Sequence, residues 1–197
     1  QYARRLAESG CRVVVPLLID RKEKISRLTH REFLYRSAFE LGRQLVGYEI
    51  HKTLAVIDWF NKMSPGKPVG VIGWGEGGLI AQYAAAVDTR IDVACVSGYF
   101  DSRQNIWQEP IDRNIFGLLE QFGDAEVATF IAPRSLIIDA ARGPEATIPG
   151  GRGAPARVVT PSVDSVKNEL GRAEKLVDGL NPSANFSLIE GGACLLY

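Results

Sequence analysis

The sequence predicts an α/β fold, a mostly parallel sheet of about five strands with helices on both faces. Apolar runs of strand length, at residues 11–18, 69–73, 92–97, 131–139 and 185–190, alternate with longer segments whose apolar residues recur at helical spacing. The stretch Val69-Gly-Val-Ile-Gly73-Trp74-Gly75-Glu76-Gly77-Gly78 passes from strand through a glycine-rich turn into helix. With 197 residues and 46% hydrophobic content, the chain suffices for one sizeable core, so residues 1–197 are expected to form a single domain.

Taken in order, residues 1–10 are expected to be helical, 11–18 a buried strand, and 36–62 one long helix. The strand at 69–73 leads into a helix running through Val87, and 92–97 forms the next strand. A polar stretch at 98–124 follows, in which Tyr99, Trp107, Phe116 and Phe122 interleave with Asp101, Glu109 and Asp112. These aromatics are expected to pack as a lid. Residues 131–139 form a further strand, 143–161 a Gly/Pro-rich loop, 162–179 a helix and 185–190 the last strand.

The turn at Gly73–Gly78 resembles the nucleophile elbow of the α/β-hydrolase superfamily, G-x-S-x-G, in which a strained bend lifts a nucleophile above the sheet. Gly73, Gly77 and Gly78 satisfy the close approach of strand and helix. Gly75 stands at the nucleophile position and has no side chain, so acyl-enzyme chemistry cannot run there. Within the superfamily, Phe39-Glu-Leu-Gly-Arg43, Gly47-Tyr-Glu49 and Ile131-Ala-Pro-Arg134 resemble the dienelactone-hydrolase and acetyl-xylan-esterase branch. The resemblance implies a general-base His after the last strand, where the sequence reads Gly191-Gly-Ala193-Cys194-Leu-Leu-Tyr197. It also implies an acid after the penultimate strand, for which Asp139 and Glu145 are candidates. Family domains begin with further strands and a loop that supplies an oxyanion-hole donor. The chain is therefore expected to be a fragment or a minimal relative, truncated at its N-terminus. In the family a strand lies between the equivalents of residues 13–18 and 69–73. Its absence predicts either direct pairing of these two strands or filling of the gap by a second copy through strand exchange or pairing, with a homodimer favoured.

Several residues are candidates for chemistry in the absence of a Ser–His pair. Glu76, at the first turn of the elbow helix, and Asp101, after the next strand, are the candidate catalytic carboxylates. Gly75, Glu76 and Gly77 form a candidate anion or oxyanion site at the positive helix end. Asp20, His30 and His51 are candidate ligands for a divalent metal, zinc or manganese, that would activate water. His51 and Glu49 point to opposite sides of a regular helix and cannot chelate together. The basic segment with Arg21, Lys22, Lys24, Arg27, Arg31 and Arg36 would attract an anionic ester. The leading expectation is therefore a repurposed hydrolase of small-molecule esters or phosphoesters. The alternatives are a catalytically inactive binding relic and a dinucleotide binder through Gly73-x-Gly75-x-x-Gly78, with Asp101 near the place of a ribose-binding acid.

Lys plus Arg and Asp plus Glu number 23 each, so net charge gives no argument for nucleic acid or an anionic membrane as partner. No apolar run is long enough to span a bilayer and no signal peptide is present, which makes a cytoplasmic site the default expectation. Cys11, Cys95 and Cys194 are widely spaced and read as free thiols, Cys11 and Cys95 inside apolar strands.

Overall fold

A computed structural model describes residues 2–21, 24–25, 28–148, 155–180 and 183–191. The sheet is four-stranded and parallel: β3 (Gly70–Trp74), β4 (Val93–Ser97), β5 (Ser135–Ala140) and β8 (Asn185–Glu190), in that spatial order. The helices are α1 (Tyr2–Glu8), α2 (His30–Glu40), α3 (Leu45–Met63), α4 (Glu76–Val87), α5 (Asp124–Thr129) and α6 (Val163–Leu176). Two small antiparallel pairs, β1 (Lys24–Ile25) with β2 (Leu28–Thr29) and β6 (Ala146–Thr147) with β7 (Arg157–Val158), stand apart from the sheet. Short 3-10 turns between Arg103 and Glu120 carry the chain from β4 towards α5.

Strand alternation decides what packs where. The register pairs Val71 with Ala94, Ala94 with Leu136 and Leu136 with Phe186, so these residues share one face with Val96, Ile138 and Leu188. That face meets Leu79, Ile80, Tyr83 and Ala84 of α4, Val127 and Ala128 of α5, and Val166, Leu170 and Ala173 of α6 in one core. Burying each large apolar side chain contributes on the order of 1.5–3 kcal/mol, which makes this layer the chief source of stability.

The expected α/β sheet is present, with three departures. The apolar run at residues 11–18 joins no ladder. It lies against α3, with the Lys52 ammonium donating to the Leu17 carbonyl and the Arg12 guanidinium over the Trp59 ring. Val15 and Leu17 are exposed, and so is Cys11, contrary to the buried thiol expected there; Cys95 is buried in β4, and Cys194 lies outside the described residues. Among the described residues β3 is thus an edge strand, and direct pairing with residues 13–18 does not occur. The expected long helix at 36–62 is instead two, because Gly42 adopts a left-handed φ of 69° just past α2 and its N–H donates to the Phe39 carbonyl. Finally, residues 131–134 form a turn leading into β5, stabilised by Arg134, which donates to the carbonyls of Asp88, Ile91 and Phe130.

The crossing of β3 and α4 tolerates no side chain at Gly73. A Cβ there would lie 1.9 Å from the Gly77 carbonyl oxygen and 2.6 Å from the Gly78 nitrogen, both backbone atoms that cannot step aside. Gly73→Ala is expected to destabilise the fold by about 3 kcal/mol or more, read by urea denaturation; a loss below about 0.5 kcal/mol would contradict this packing.

Candidate functional site

The carboxyl ends of β3, β4 and β5 carry the turns that build the site. Gly75 follows β3 with φ 56° and ψ −114°, a conformation open chiefly to glycine, and its N–H donates to the Ser97 carbonyl. Gly98 follows β4 and donates to the Asp139 carbonyl. The chain after β5 then folds back over the turn, and the Trp74 indole donates to the Arg142 carbonyl. This return places the Pro144 ring where a side chain on residue 75 would project: a Cβ there would stand 2.5 Å from both Cγ and Cδ of Pro144. The elbow is therefore both without a nucleophile and covered.

Glu76 turns into a dense cluster of ion pairs. Its Oε1 accepts from Arg31 Nη2 at 3.1 Å, its Oε2 from Arg21 Nη2 at 3.1 Å, and Arg113 Nε stands 3.7 Å from Oε2. Arg31 is 1% exposed and spends all five of its N–H donors. Nε goes to Asp112, Nη1 to Glu49 and the Ile19 carbonyl, and Nη2 to Glu49 and Glu76. Burial disfavours the charge, but Glu76, Glu49 and Asp112 outweigh it and hold the guanidinium pKa above its ordinary value. Asp112, also buried, is held below the usual carboxylate range by Arg21 and Arg31.

Asp101 lies elsewhere, on the wall of a cavity of about 120 Å³ that opens beside Gly75 and is also lined by Arg103, Glu109, Arg113, Pro144 and Val159. One oxygen of Asp101 accepts from the Ser102 N–H and the Ser165 hydroxyl. Below it, Arg103 donates to Glu109 and to the carbonyls of Asp101 and Tyr99, and pairs with Asp124 at 3.3 Å. Burial pushes the Asp124 carboxyl up to about 6, against the pull of Arg103 and the Asp101 N–H.

The structure thus separates residues that the sequence grouped together. Gly75 and Asp101 share the cavity, Glu76 belongs to the arginine cluster, and Gly77 lies in the first turn of α4. His30 begins α2, His51 is exposed on α3 and Asp20 is exposed on the segment before β1. Among the described residues, no three His, Cys, Asp or Glu side chains converge as a metal-holding set. Among the described residues of the basic segment, the arginines already have carboxylate partners. Arg21 and Arg31 are bound to carboxylates and Arg36 pairs with Glu32; the side chains of Lys22, Lys24 and Arg27 lie outside the described residues. Of the two acid candidates, Asp139 is buried and accepts from the Ser97 hydroxyl at 2.8 Å, whereas Glu145 is exposed and pairs with Arg142 and Thr160. The position expected for a His, at residues 192–197, lies outside the described residues. Glu49, Arg113 and Pro144 were not foreseen as site residues. A buried-facing Glu on an otherwise apolar helix stripe was the one signal that could have pointed to Glu49.

Parallel order, elbow and crossing geometry define the fold as that of the α/β-hydrolases. No protein-family model matches the chain. It is 32% identical over 110 residues to "Putative hydrolase YtaP" of Bacillus subtilis (strain 168), a match covering 51% of this chain and 36% of that protein. Among solved structures it resembles a putative acetyl xylan esterase from Bacteroides fragilis, with TM-score 0.58, 14% identity, and coverage of 83% of this chain and 40% of that one. It also resembles a glucuronoyl esterase from Solibacter usitatus, with TM-score 0.51, 14% identity, and coverage of 76% and 44%. The chain therefore spans 36% of the curated relative and under half of each of these structures.

Two outcomes test this electrostatic picture. Arg31→Met strips the buried carboxylates Glu49 and Asp112 of their shared partner and is expected to cost about 3–5 kcal/mol by chemical denaturation. Since the folded Asp124 carboxyl, at about 6, holds its proton more tightly than an unfolded Asp, its contribution to stability is complete below about pH 4 and is lost as pH rises through about 6. Asp124→Asn should therefore flatten the melting temperature between pH 4 and 6; an unchanged slope would remove Asp124 as its source.

Proposed function

We propose that this chain is a ligand-binding domain of hydrolase descent, which holds a small ester or phosphoester, or its product, in the cavity beside Gly75 without covalent chemistry at that residue. The observation that carries this reading is the Pro144 ring seated over a side-chain-free elbow. A nucleophile needs both a reactive atom and room for the substrate to approach it; here both are missing. Glu76 supports the reading, because a carboxylate held by Arg21 and Arg31 has each oxygen already accepting a charged hydrogen bond and is a poor general base.

A second reading, hydrolysis by activated water, rests on Asp101, whose second carboxylate oxygen carries no hydrogen bond among the described residues and which lines the same cavity. On this reading zinc or manganese, with Asp20, His30 or His51 as ligands, would assist. The dinucleotide reading would require the Gly75 turn to receive a pyrophosphate where Pro144 now sits.

Assay of the purified protein with p-nitrophenyl acetate and a p-nitrophenyl phosphodiester, before and after chelation and with Zn²⁺ or Mn²⁺ restored, separates these readings. The expected result is no turnover and no acetyl adduct by mass spectrometry. Activity abolished by Asp101→Asn would establish the water-activated reading instead, and a melting temperature raised by NAD would establish the dinucleotide one. Gly75→Ser alone is expected to lose about 1–3 kcal/mol through backbone strain and collision with Pro144. Pairing it with Pro144→Gly should recover part of that loss, and strict additivity of the two changes would show that the ring and residue 75 do not meet.

A further inference from the structure

Among the described residues, two arginines that line the cavity beside Gly75, Arg113 and Arg157, make no side-chain hydrogen bond, and of the two only Arg113 is buried. The Arg113 side chain is only 5% exposed, and its guanidinium lies 5.4 Å from the Tyr99 ring centroid. Its Nε is 3.0 Å from Glu109 Oε2 but not aligned for a hydrogen bond, and neither Nη donates to any group among the described residues. Arg103, which lines the same cavity, differs, since each of its three nitrogens donates, to Asp101, Glu109 and Tyr99. The charge of Arg113 is paired through Nε with Glu109 at 3.0 Å and Glu76 at 3.7 Å, while the donors of both Nη atoms stay open to an acceptor that arrives from outside, and the cavity this side chain lines is where one can sit.

Three surrounding features narrow the acceptor. The N-terminus of the twelve-residue helix α4, at Gly75, borders the same cavity and favours negative charge. Arg157 stands exposed at its rim on β7. Asp101 and Glu109 also line the cavity, Glu109 directly beside Arg113, which sets a limit on how much negative charge can enter. A monoanion with two coplanar oxygens matches the guanidinium fork, whereas a phosphate dianion would meet those two carboxylates at twice the repulsion. A volume of about 120 Å³ greatly exceeds the roughly 10–15 Å³ that one water requires, so a small organic acid fits.

We infer that this cavity is a carboxylate site, in which Arg113 engages both oxygens of a small monocarboxylic acid whose apolar end rests against Pro144 and Val159. The inference rests on the non-covalent reading above and names the ligand class for it.

Calorimetric titration of the full chain with acetate, acetamide and inorganic phosphate at pH 7 tests the site. Saturable acetate binding is expected, with phosphate at least tenfold weaker and no saturable acetamide binding. Arg113→Gln should weaken acetate at least tenfold. Arg157→Glu, at an exposed position that leaves folding intact, should weaken it a few-fold even if the Arg113 variant does not fold. No saturable acetate binding, equal binding of acetamide, or phosphate binding as tightly as acetate would each overturn the assignment. Acetate binding in a protein that turns over esters would leave this site standing and overturn the non-covalent reading. Absence of acetate binding in a protein without turnover would overturn the site alone.

Discussion

The buried guanidinium of Arg31 is the point on which the functional end of this molecule depends. It joins α2, which carries it, to α3 through Glu49, to α4 through Glu76, to the turn after β4 through Asp112, and to the segment before β1 through the Ile19 carbonyl. Without it, Glu49 and Asp112 would leave charge in a dry interior. A buried charge is tolerated only when its partners are fixed, and the same fixing orients the first turn of α4, and so the elbow. Ion pairing here is less a source of net stability than a device that admits one arrangement of five chain segments.

This arrangement also explains why the elbow has its present character. Residues that look reactive in a linear reading, Glu76 above all, become structural once their oxygens are assigned partners. Residues that look incidental, Arg113 and Pro144, instead shape the space a ligand would meet. The cavity beside Gly75 is therefore walled largely by charges that already have partners, Arg103 with Glu109 and Asp124 among them.

Much of the fold was legible from sequence. The β3–α4 crossing was visible because Gly73, Gly77 and Gly78 admit few explanations other than close backbone approach, and β4, β5 and β8 announced themselves as short apolar runs. Residues 11–18 misled because hydrophobic content marks a segment as able to be a strand, whereas a ladder requires alignment with a partner; here the segment lies against α3 and does not pair with the open edge of β3. The split between α2 and α3 turned on a single residue, Gly42, whose left-handed φ is a property of the folded chain. For the site, spacing located the elbow and the wall residue Asp101 but not the pairing of Arg31, Glu49 and Asp112, which lie 18 and 81 residues apart from their common partner and meet only through the topology.

The contact between Pro144 and Gly75 carries a historical consequence. Any residue with a Cβ at position 75 must wait until the loop after β5 has moved, so a serine arising there by a single change would weaken the fold before it could offer any chemistry. Selection would remove it at that step. Restoring a side chain at this position therefore takes two coordinated changes, one in the turn and one in the loop that covers it.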